Sequence, residues 1–334
     1  MNNTSEEKEK SLTPDEQTDL SKDELKGSIE SSLYGFAVGD ALGVPVEFLS
    51  RKTIQKNPVT GMLAYGTHHQ PAGTWSDDTS MTIAAMDSIA ETNGAVDYEN
   101  IMSKYGQWYH NELYTANGDV FDIGNTTFSA IHRYDLGTPA TACGDKGERC
   151  NGNGSLMRML PLVFALNNET TENETQIIQQ YSGLTHRHEI SQLGCKIYYD
   201  YMKLILDNHS KEEAYKMIKE NDYKEFFSEK AVSVYGRILK GNIEDCPENE
   251  IKSSGYVVDT LEASLWTVLT TSSYEEAVLK AVNLGDDTDT VGAIAGSIAG
   301  LIYGIDNIPA EWIEKLRNKE LLDSILERFH QSLS

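Results

Sequence analysis

The stretch Gly285-Asp-Asp-Thr-Asp-Thr-Val-Gly-Ala-Ile-Ala-Gly296 joins a cluster of carboxylates to an apolar run of small residues. This run continues to Gly304, and its glycines and alanines predict a helix that is buried on several sides by close neighbours. We expect that helix at Thr290–Tyr303, with the carboxylates in the turn before it. A similar text, Ser76-Asp-Asp-Thr79, stands more than two hundred residues earlier and also precedes a helical pattern.

The two acidic clusters predict a shared metal site. Closely packed carboxylates repel one another unless a cation or a helix N-terminus lies among them. Carboxylate and hydroxyl oxygens are the ligands that Mg²⁺ and Mn²⁺ prefer. The alternative is that both clusters are helix N-caps, where Asp, Ser and Thr are common. A cap needs only one such residue, and each cluster has three or more, so the pair favours metal.

Helical periodicity recurs along the chain and period-2 alternation is nearly absent, which predicts an all-α, single-domain bundle. A capping box at Ser21–Glu24 begins a helix that runs towards Gly39, and the glycine and proline of 40–47 predict a loop after it. Longer loops are expected at 135–151, 167–175 and 241–255. Further helices are expected from about residue 79 and at 98–109, 126–134, 189–206, 211–218, 260–270, 274–282 and 321–333.

Composition excludes several classes of protein. The chain has 334 residues and a formal net charge of −24, which disfavours binding to nucleic acid or to anionic membranes. Four scattered cysteines and the absence of a signal peptide or a long apolar stretch predict a cytoplasmic protein. Residues 1–20 are polar and acidic, so we expect a disordered arm followed by one domain at 21–334.

Four further features could carry chemistry. The glycine-rich run Asn151–Ser155 precedes a helix, and its backbone N–H groups could bind a phosphate. Asp122 lies beside a turn before a helix, and taken alone it has the pattern of an ordinary N-cap. The run Thr185–Glu189 supplies imidazoles, although polar residues are also typical of a helix start. Glu47 follows an apolar segment, where burial would raise its pKa.

In order along the chain, seven segments together resemble the ADP-ribosylglycohydrolase family, most closely its dinitrogenase-reductase-activating branch. Together they span nearly all of residues 30–320, and their combination is far more specific than any one of them. The segments are Gly39-Asp-Ala-Leu-Gly-Val-Pro-Val-Glu-Phe48, Trp75-Ser-Asp-Asp-Thr79, Phe121-Asp-Ile-Gly-Asn-Thr-Thr127, Gly152-Asn-Gly-Ser-Leu-Met-Arg158, Leu184-Thr-His186, Tyr256-Val-Val-Asp-Thr260 and Gly285–Gly296.

The resemblance implies an orthogonal helical bundle with two Mg²⁺ or Mn²⁺ ions at the base of a cleft. Gly152, Asn153, Gly154 and Ser155 would then hold the diphosphate of ADP-ribose, with Asn151 beside them. His186 would contact the ribose, and Tyr256 would stack on the adenine. The implied metal ligands are Ser76, Asp77, Asp78, Asp287, Asp289 and Thr290, with Asp286 outside the coordination shell.

The resemblance also implies which bond is cut. Asp122 resembles the acid of the arginine-directed branch and Glu47 that of the serine-directed branch. The text around Asp122 favours ADP-ribosyl-arginine on a modified protein as the substrate. The alternatives are a hydrolase of serine-linked or small-molecule ADP-ribose, and an immunity protein that neutralises an ADP-ribosylating toxin by hydrolysis or through its N-terminal arm.

Overall fold

The computed structural model describes residues 21–166 and 169–333, so the predicted arm at 1–20 lies outside the described residues. The described ranges contain helices and isolated bridges but no β-strand, which confirms the all-α prediction. The helices are α1 (Lys22–Gly43), α2 (Arg51–Ile54), α3 (Asp77–Glu91), α4 (Tyr98–Asn111), α5 (Asn125–Asp135), α6 (Leu160–Ala165), α7 (Thr171–Ser182), α8 (Glu189–Leu206), α9 (Lys211–Glu220), α10 (Glu229–Val234), α11 (Gly236–Lys240), α12 (Val257–Leu269), α13 (Tyr274–Val282), α14 (Thr288–Tyr303), α15 (Ala310–Lys315) and α16 (Lys319–Ser332).

Helices α1 and α14 run antiparallel at the centre of the molecule, with backbone against backbone. A Cβ atom added at Gly39 would lie 2.5 Å from the carbonyl carbon of Gly292, and one added at Gly292 would lie 2.6 Å from the carbonyl oxygen of Gly39. Gly35 faces Gly296 in the same way. The small residues of α14 therefore have a specific partner, and the prediction of a closely packed helix is confirmed.

The predicted loop at 40–47 is wrong in its first half. Helix α1 continues through Gly43, and Val44–Val46 forms a 3-10 turn with Pro45 at its start. Gly43 belongs to the helix because its missing side chain lets the backbone of α1 meet the first turn of α14 near Asp289. The sequence alone does not distinguish a glycine needed for close helix packing from a glycine that ends a helix, so the loop prediction was wrong here.

Other boundaries differ for local reasons. The loop predicted at 167–175 ends early, and the twelve-residue helix α7 was not predicted. Thr170 caps α7 by accepting a hydrogen bond from the N–H of Asn173 at 3.3 Å. Helix α12 begins at Val257, three residues before the predicted start. Helices α2, α6, α10, α11 and α15 were not predicted, because their four to six residues are too few to show a helical period.

The packing of α1, α3 and α14 brings together the end of α1 and the starts of α3 and α14, where the acidic residues lie. Asp40 is fully buried near the end of α1 and accepts hydrogen bonds from the N–H groups of Ser76 and Thr79 at the start of α3. Helix α14 begins beside Gly43. Across 21–166 and 169–333, none of the helices is both long and apolar enough to span a bilayer.

Candidate active site

A cavity of about 490 Å³ lies where the two acidic clusters meet. Its wall also includes Arg149 and residues of the glycine-rich run, so carboxylates and anion-binding groups face the same space. Ten of the residues singled out from the sequence line it, namely Glu47, Asp77, Asp78, Asp122, Gly152, Asn153, Gly154, His186, Asp287 and Thr290.

The first cluster begins α3, but its carboxylates do not cap the helix. Ser76 is the N-cap, and its hydroxyl accepts a hydrogen bond from the N–H of Asp78 at 3.2 Å. Asp77 and Asp78 are thereby left in the first turn, buried and facing the cavity. Burial is the main cause that raises the pKa of both carboxyl groups well above the usual range.

Asp40 supports this cluster and was missed as a site residue, although it lies in one of the quoted segments. Its carboxylate accepts from the Ser76 N–H at 2.9 Å and from the Thr79 hydroxyl at 2.6 Å. Burial raises its pKa to about 6, and these hydrogen bonds oppose the rise. Asp40 therefore ties the end of α1 to the start of α3. Only the tertiary contact reveals this role.

The second cluster begins α14 in a similar manner. Asp287 is the N-cap residue, but its side chain makes no capping bond. It accepts instead from the Asn153 amide at 2.8 Å, which links the cluster to the glycine-rich run. Asp289 is fully buried, and neither of its carboxylate oxygens has a hydrogen-bond partner within the described chain. Asp286 lines a different cavity beside Arg51.

These residues fit a divalent cation. Carboxylate oxygens of Glu47, Asp287 and Asp289 lie within 4.8 Å of one another. The Oδ2 atom of Asp78 is also buried without a hydrogen-bond partner in the described chain. Burying unpaired carboxylates is costly, and a bound cation removes that cost by neutralising them. Residues of both sequence-predicted clusters thus line one cavity, and their hard oxygen donors could hold metal there.

Glu47 and Asp122 meet at a histidine that the sequence reasoning missed. The Nε2 atom of His68 is 2.5 Å from Oε2 of Glu47 and 3.9 Å from Oδ1 of Asp122. Burial, with a contribution from the charge of Asp122, raises the pKa of Glu47 to about 11. The pKa of His68 is lowered, mainly by burial. The sequence around His68 has no local pattern that predicts this contact, because the contact depends on the packing of two loops.

Asp122 is not a helix cap, so that alternative is wrong. Gly124 occupies the N-cap position of α5, and Asp122 lies two residues earlier with a φ of 60°. This left-handed backbone costs about 1–3 kcal/mol for a residue other than glycine. It places the Asp122 carboxylate in the cavity wall, where burial raises its pKa to about 7. Strain of this kind is often found at functional sites.

The glycine-rich run lies against His186. A Cβ added at Gly154 would be 2.8 Å from Cε1 of the imidazole, so glycine is needed there for close packing. Arg158 donates to the Thr185 hydroxyl at 2.8 Å, and that hydroxyl lies 2.7 Å from Nδ1 of His186. The Thr185 hydroxyl can donate to Nδ1, and in that arrangement the hydrogen of the neutral ring lies on Nε2. Burial lowers the pKa of His186 to about 3.

Five predicted residues do not line this cavity. The Asn151 and Ser155 side chains face the interior, where they bond Ser191 at 3.0 Å and Ser182 at 2.9 Å. Tyr256 pairs with Gly152 through its backbone, but its ring lines a neighbouring cavity of about 240 Å³. The other two, Ser76 and Asp289, are buried behind the cavity wall. The roles predicted for all five stay predictions.

Arg149 is a further residue that the sequence reasoning missed. It is the only lysine or arginine among the described residues that line the cavity. The adjacent acid, Glu148, pairs with Lys230 at 2.5 Å rather than with Arg149. Within the described chain the Arg149 guanidinium has no ion pair, so it is available to an anionic ligand. Its position just before the glycine-rich run was the only signal in the sequence.

Comparison with known proteins agrees with this geometry. The family model for ADP-ribosylglycohydrolase matches residues 21–334. The chain is 33% identical over 315 residues to ADP-ribosylarginine hydrolase Tri1 of Serratia proteamaculans (strain 568), covering 92% of this chain and 79% of the relative. It is 30% identical over 301 residues to ADP-ribosyl-(dinitrogen reductase) glycohydrolase of Rhodospirillum rubrum, covering 86% and 90% of the two chains.

Among solved structures, one described as an ADP-ribosylglycohydrolase-related protein complex matches with a TM-score of 0.78 at 28% sequence identity. The match covers 93% of this chain and 100% of the other. The family model, the relatives and the fold therefore agree over nearly the whole length, and the chain belongs to the ADP-ribosylglycohydrolase family.

Proposed function

We propose that this protein is a metal-dependent hydrolase that releases ADP-ribose from modified arginine side chains. The observation that carries the proposal is the single cavity in which Asp122, the two acidic clusters and the glycine-rich run converge. A carboxylate such as Asp122 suits a guanidinium, which it can bind through two parallel hydrogen bonds. Similarity to ADP-ribosylarginine hydrolase Tri1 supports the same linkage. We expect the reaction to take place in the cytoplasm.

The anionic part of the substrate has a matching place in the same cavity. Arg149 supplies positive charge where the proposed diphosphate would lie, next to the backbone of Gly152 and Gly154. The Nε2–H group of His186 offers one hydrogen-bond donor from the cavity wall. A strongly acidic protein could therefore bind an anionic ligand here, because the local charge at these groups differs from the net charge of the chain.

The residues that would hold two Mg²⁺ or Mn²⁺ ions are Ser76, Asp77, Asp78, Asp287, Asp289 and Thr290, and Glu47 lies close to Asp287 and Asp289. Such ions would supply Lewis acidity and would orient the ribose diol and a water molecule. The overall reaction adds OH from water to the anomeric carbon and returns hydrogen to the guanidinium nitrogen. Asp122 faces the place for that nitrogen, where a carboxyl group can exchange a proton with it. His68 holds the Glu47 carboxyl group beside it.

The test is release of free ADP-ribose from ADP-ribosyl-arginine, measured by mass spectrometry with and without Mn²⁺. Replacing Asp122 by Asn should lower kcat by about 10²-fold or more, because one acid–base group contributes at least that much. Asp119→Asn is the matched control, since Asp119 is exposed and bonds Gln70. Unchanged turnover in Asp122→Asn, or release that survives metal removal, would contradict the proposal.

A second candidate substrate is serine-linked ADP-ribose, which the position of Glu47 favours. Its carboxyl group lies near both Asp122 and the second acidic cluster, so either acid could face the scissile bond. Comparing Glu47→Gln and Asp122→Asn on arginine-linked and serine-linked substrates separates the two. The proposed partner is accordingly an ADP-ribosylated protein. A toxin bound through residues 1–20 is tested by pull-down with and without that arm.

A further inference from the structure

Two aromatic residues beside the cavity are exposed although their backbones are strained. Phe48 is 65% exposed with a φ of 62°, and Tyr65 is 64% exposed with a φ of 68°. Bulky residues rarely adopt this left-handed region, because their Cβ atom clashes with the backbone. Exposed rings also contribute little apolar burial to the folded state. The fold therefore gains little from either ring.

Both strained backbones are held by main-chain hydrogen bonds. The Phe48 N–H donates to the Asp286 carbonyl at 2.7 Å, and the Tyr65 N–H donates to the Gln70 carbonyl at 2.5 Å. The Thr67 hydroxyl donates to the Glu47 carbonyl at 2.7 Å, which joins the two segments. Phe48 lines the cavity, and its ring centroid is 5.8 Å from that of His68. Phe48 thus belongs to the cavity wall, and Tyr65 lies two residues before Thr67, on the segment that bonds Glu47.

We infer that Phe48 and Tyr65 form a docking surface for the protein that carries the modified arginine, and that this surface favours carriers with basic residues around that arginine. The inference rests on the proposed function. If ADP-ribose fills the cavity, an arginine side chain is short enough that the carrier backbone must lie at the mouth. The two aromatic residues are then the first surface that it meets.

The preference for a basic carrier follows from two kinds of charge interaction. Lysine and arginine side chains are attracted to the faces of aromatic rings, and exposed tyrosine is common in protein interfaces. The chain carries a net charge of −24, which attracts a basic segment and repels an acidic one. Free ADP-ribosyl-arginine has no flanking residues, so this surface cannot contribute to its turnover in the same way.

The experiment compares kcat/KM for three substrates: a basic peptide with one ADP-ribosylated arginine, an acidic peptide with the same modification, and free ADP-ribosyl-arginine. The variants are Tyr65→Gly and Phe48→Ala, with Tyr65→Asn as a second replacement that removes the ring but keeps a Cβ atom. Leu136→Ser is the matched control, because Leu136 is 73% exposed but lies at the far end of α5 with an ordinary backbone.

The expected result is a fall of about tenfold in the ratio of kcat/KM for the basic peptide to that for free ADP-ribosyl-arginine, which is the size of effect seen for interface anchors. The thermal midpoint of Tyr65→Gly should not fall, because glycine accepts the backbone without strain. A merely structural role for the ring would instead lower stability and leave the ratio unchanged.

A ratio within twofold of wild type in Tyr65→Gly, Tyr65→Asn and Phe48→Ala would overturn the docking surface while leaving the proposed function intact. Equal turnover of basic and acidic peptides by the wild-type enzyme would overturn the preference for a basic carrier. Failure of the wild-type enzyme to release ADP-ribose from any of the three substrates would overturn the proposed function, and this inference with it.

Discussion

Replacing Gly39 by alanine should weaken the contact between α1 and α14 that organises the fold. The added Cβ would lie 2.5 Å from the Gly292 carbonyl carbon and 3.0 Å from the Ala293 nitrogen, whereas carbon atoms in contact are about 3.5–4.0 Å apart. The helices must therefore separate by about 1 Å. Both contacting groups belong to backbone, so no flexible side chain can move aside.

The size of the effect follows from two opposing contributions. Overpacking of this kind costs about 3 kcal/mol, the upper part of its usual range, because the obstacle is rigid. Alanine regains about 1 kcal/mol through its better helix propensity. The net loss in the free energy of unfolding is about 2 kcal/mol. With an m-value of about 3 kcal/mol/M, the urea midpoint should fall by roughly 0.7 M.

Urea unfolding of Gly39→Ala is compared with that of Gly27→Ala, followed by circular dichroism. Gly27 lies on the same helix, and nothing lies within 4 Å of an added Cβ there. Gly27→Ala should therefore stabilise the protein by about 0.5–1 kcal/mol. If Gly39→Ala unfolds at the wild-type urea concentration or above it, the close helix pairing is not what the structure indicates.

Three further predictions concern the cavity. Asp289→Asn should abolish the rise in thermal midpoint that Mn²⁺ gives the wild-type protein, while Asp286→Asn keeps it; an equal rise in both variants would remove Asp289 from the metal site. Arg149→Ala should weaken ADP-ribose binding about tenfold by calorimetry, the loss expected for one charge-assisted hydrogen bond, whereas Lys146→Ala on the same loop should not; matching affinities would place the diphosphate elsewhere. The pKa of His186 is about 3 in the folded state and 6.5 in the unfolded state, so between these values only the unfolded state binds the proton. The contribution of His186 to the free energy of unfolding is therefore complete above pH 6.5, and it falls by about 1.4 kcal/mol per pH unit towards pH 3. The wild-type curve of unfolding free energy against pH minus that of His186→Gln isolates this slope, and a flat difference would contradict it.

Helices with a long, unbroken apolar period were predictable from the sequence. Helix α8 has the predicted bounds, Glu189–Leu206, and α13 has the predicted bounds, Tyr274–Val282. Each is preceded by an N-cap residue, His188 or Ser273, whose side chain accepts a hydrogen bond from a backbone N–H of the first turn. Such capping is local, so it can be read from neighbouring residues. The last turn of α1 was not predictable, since Gly43 makes sense only once α14 is known to lie against it.

The candidate site divides in the same way. The acidic clusters and the glycine-rich run are dense local patterns, and the structure brings most of them to one cavity. Asp40, His68 and Arg149 are single residues, and each acquires its role from a segment distant in sequence or from the shape of the cavity. A sequence pattern cannot carry that information, because an isolated Asp, His or Arg is common on any surface.

The pairing of Gly39 with Gly292 has a consequence for biosynthesis, because 253 residues separate the two partners. At about 5–20 residues per second, α1 leaves the ribosome roughly 10–50 s before its partner has been made. During that interval the side of α1 that packs on α14 has no native cover. The nascent chain therefore depends on other helices or on chaperones to shield that side of α1 until synthesis is nearly complete.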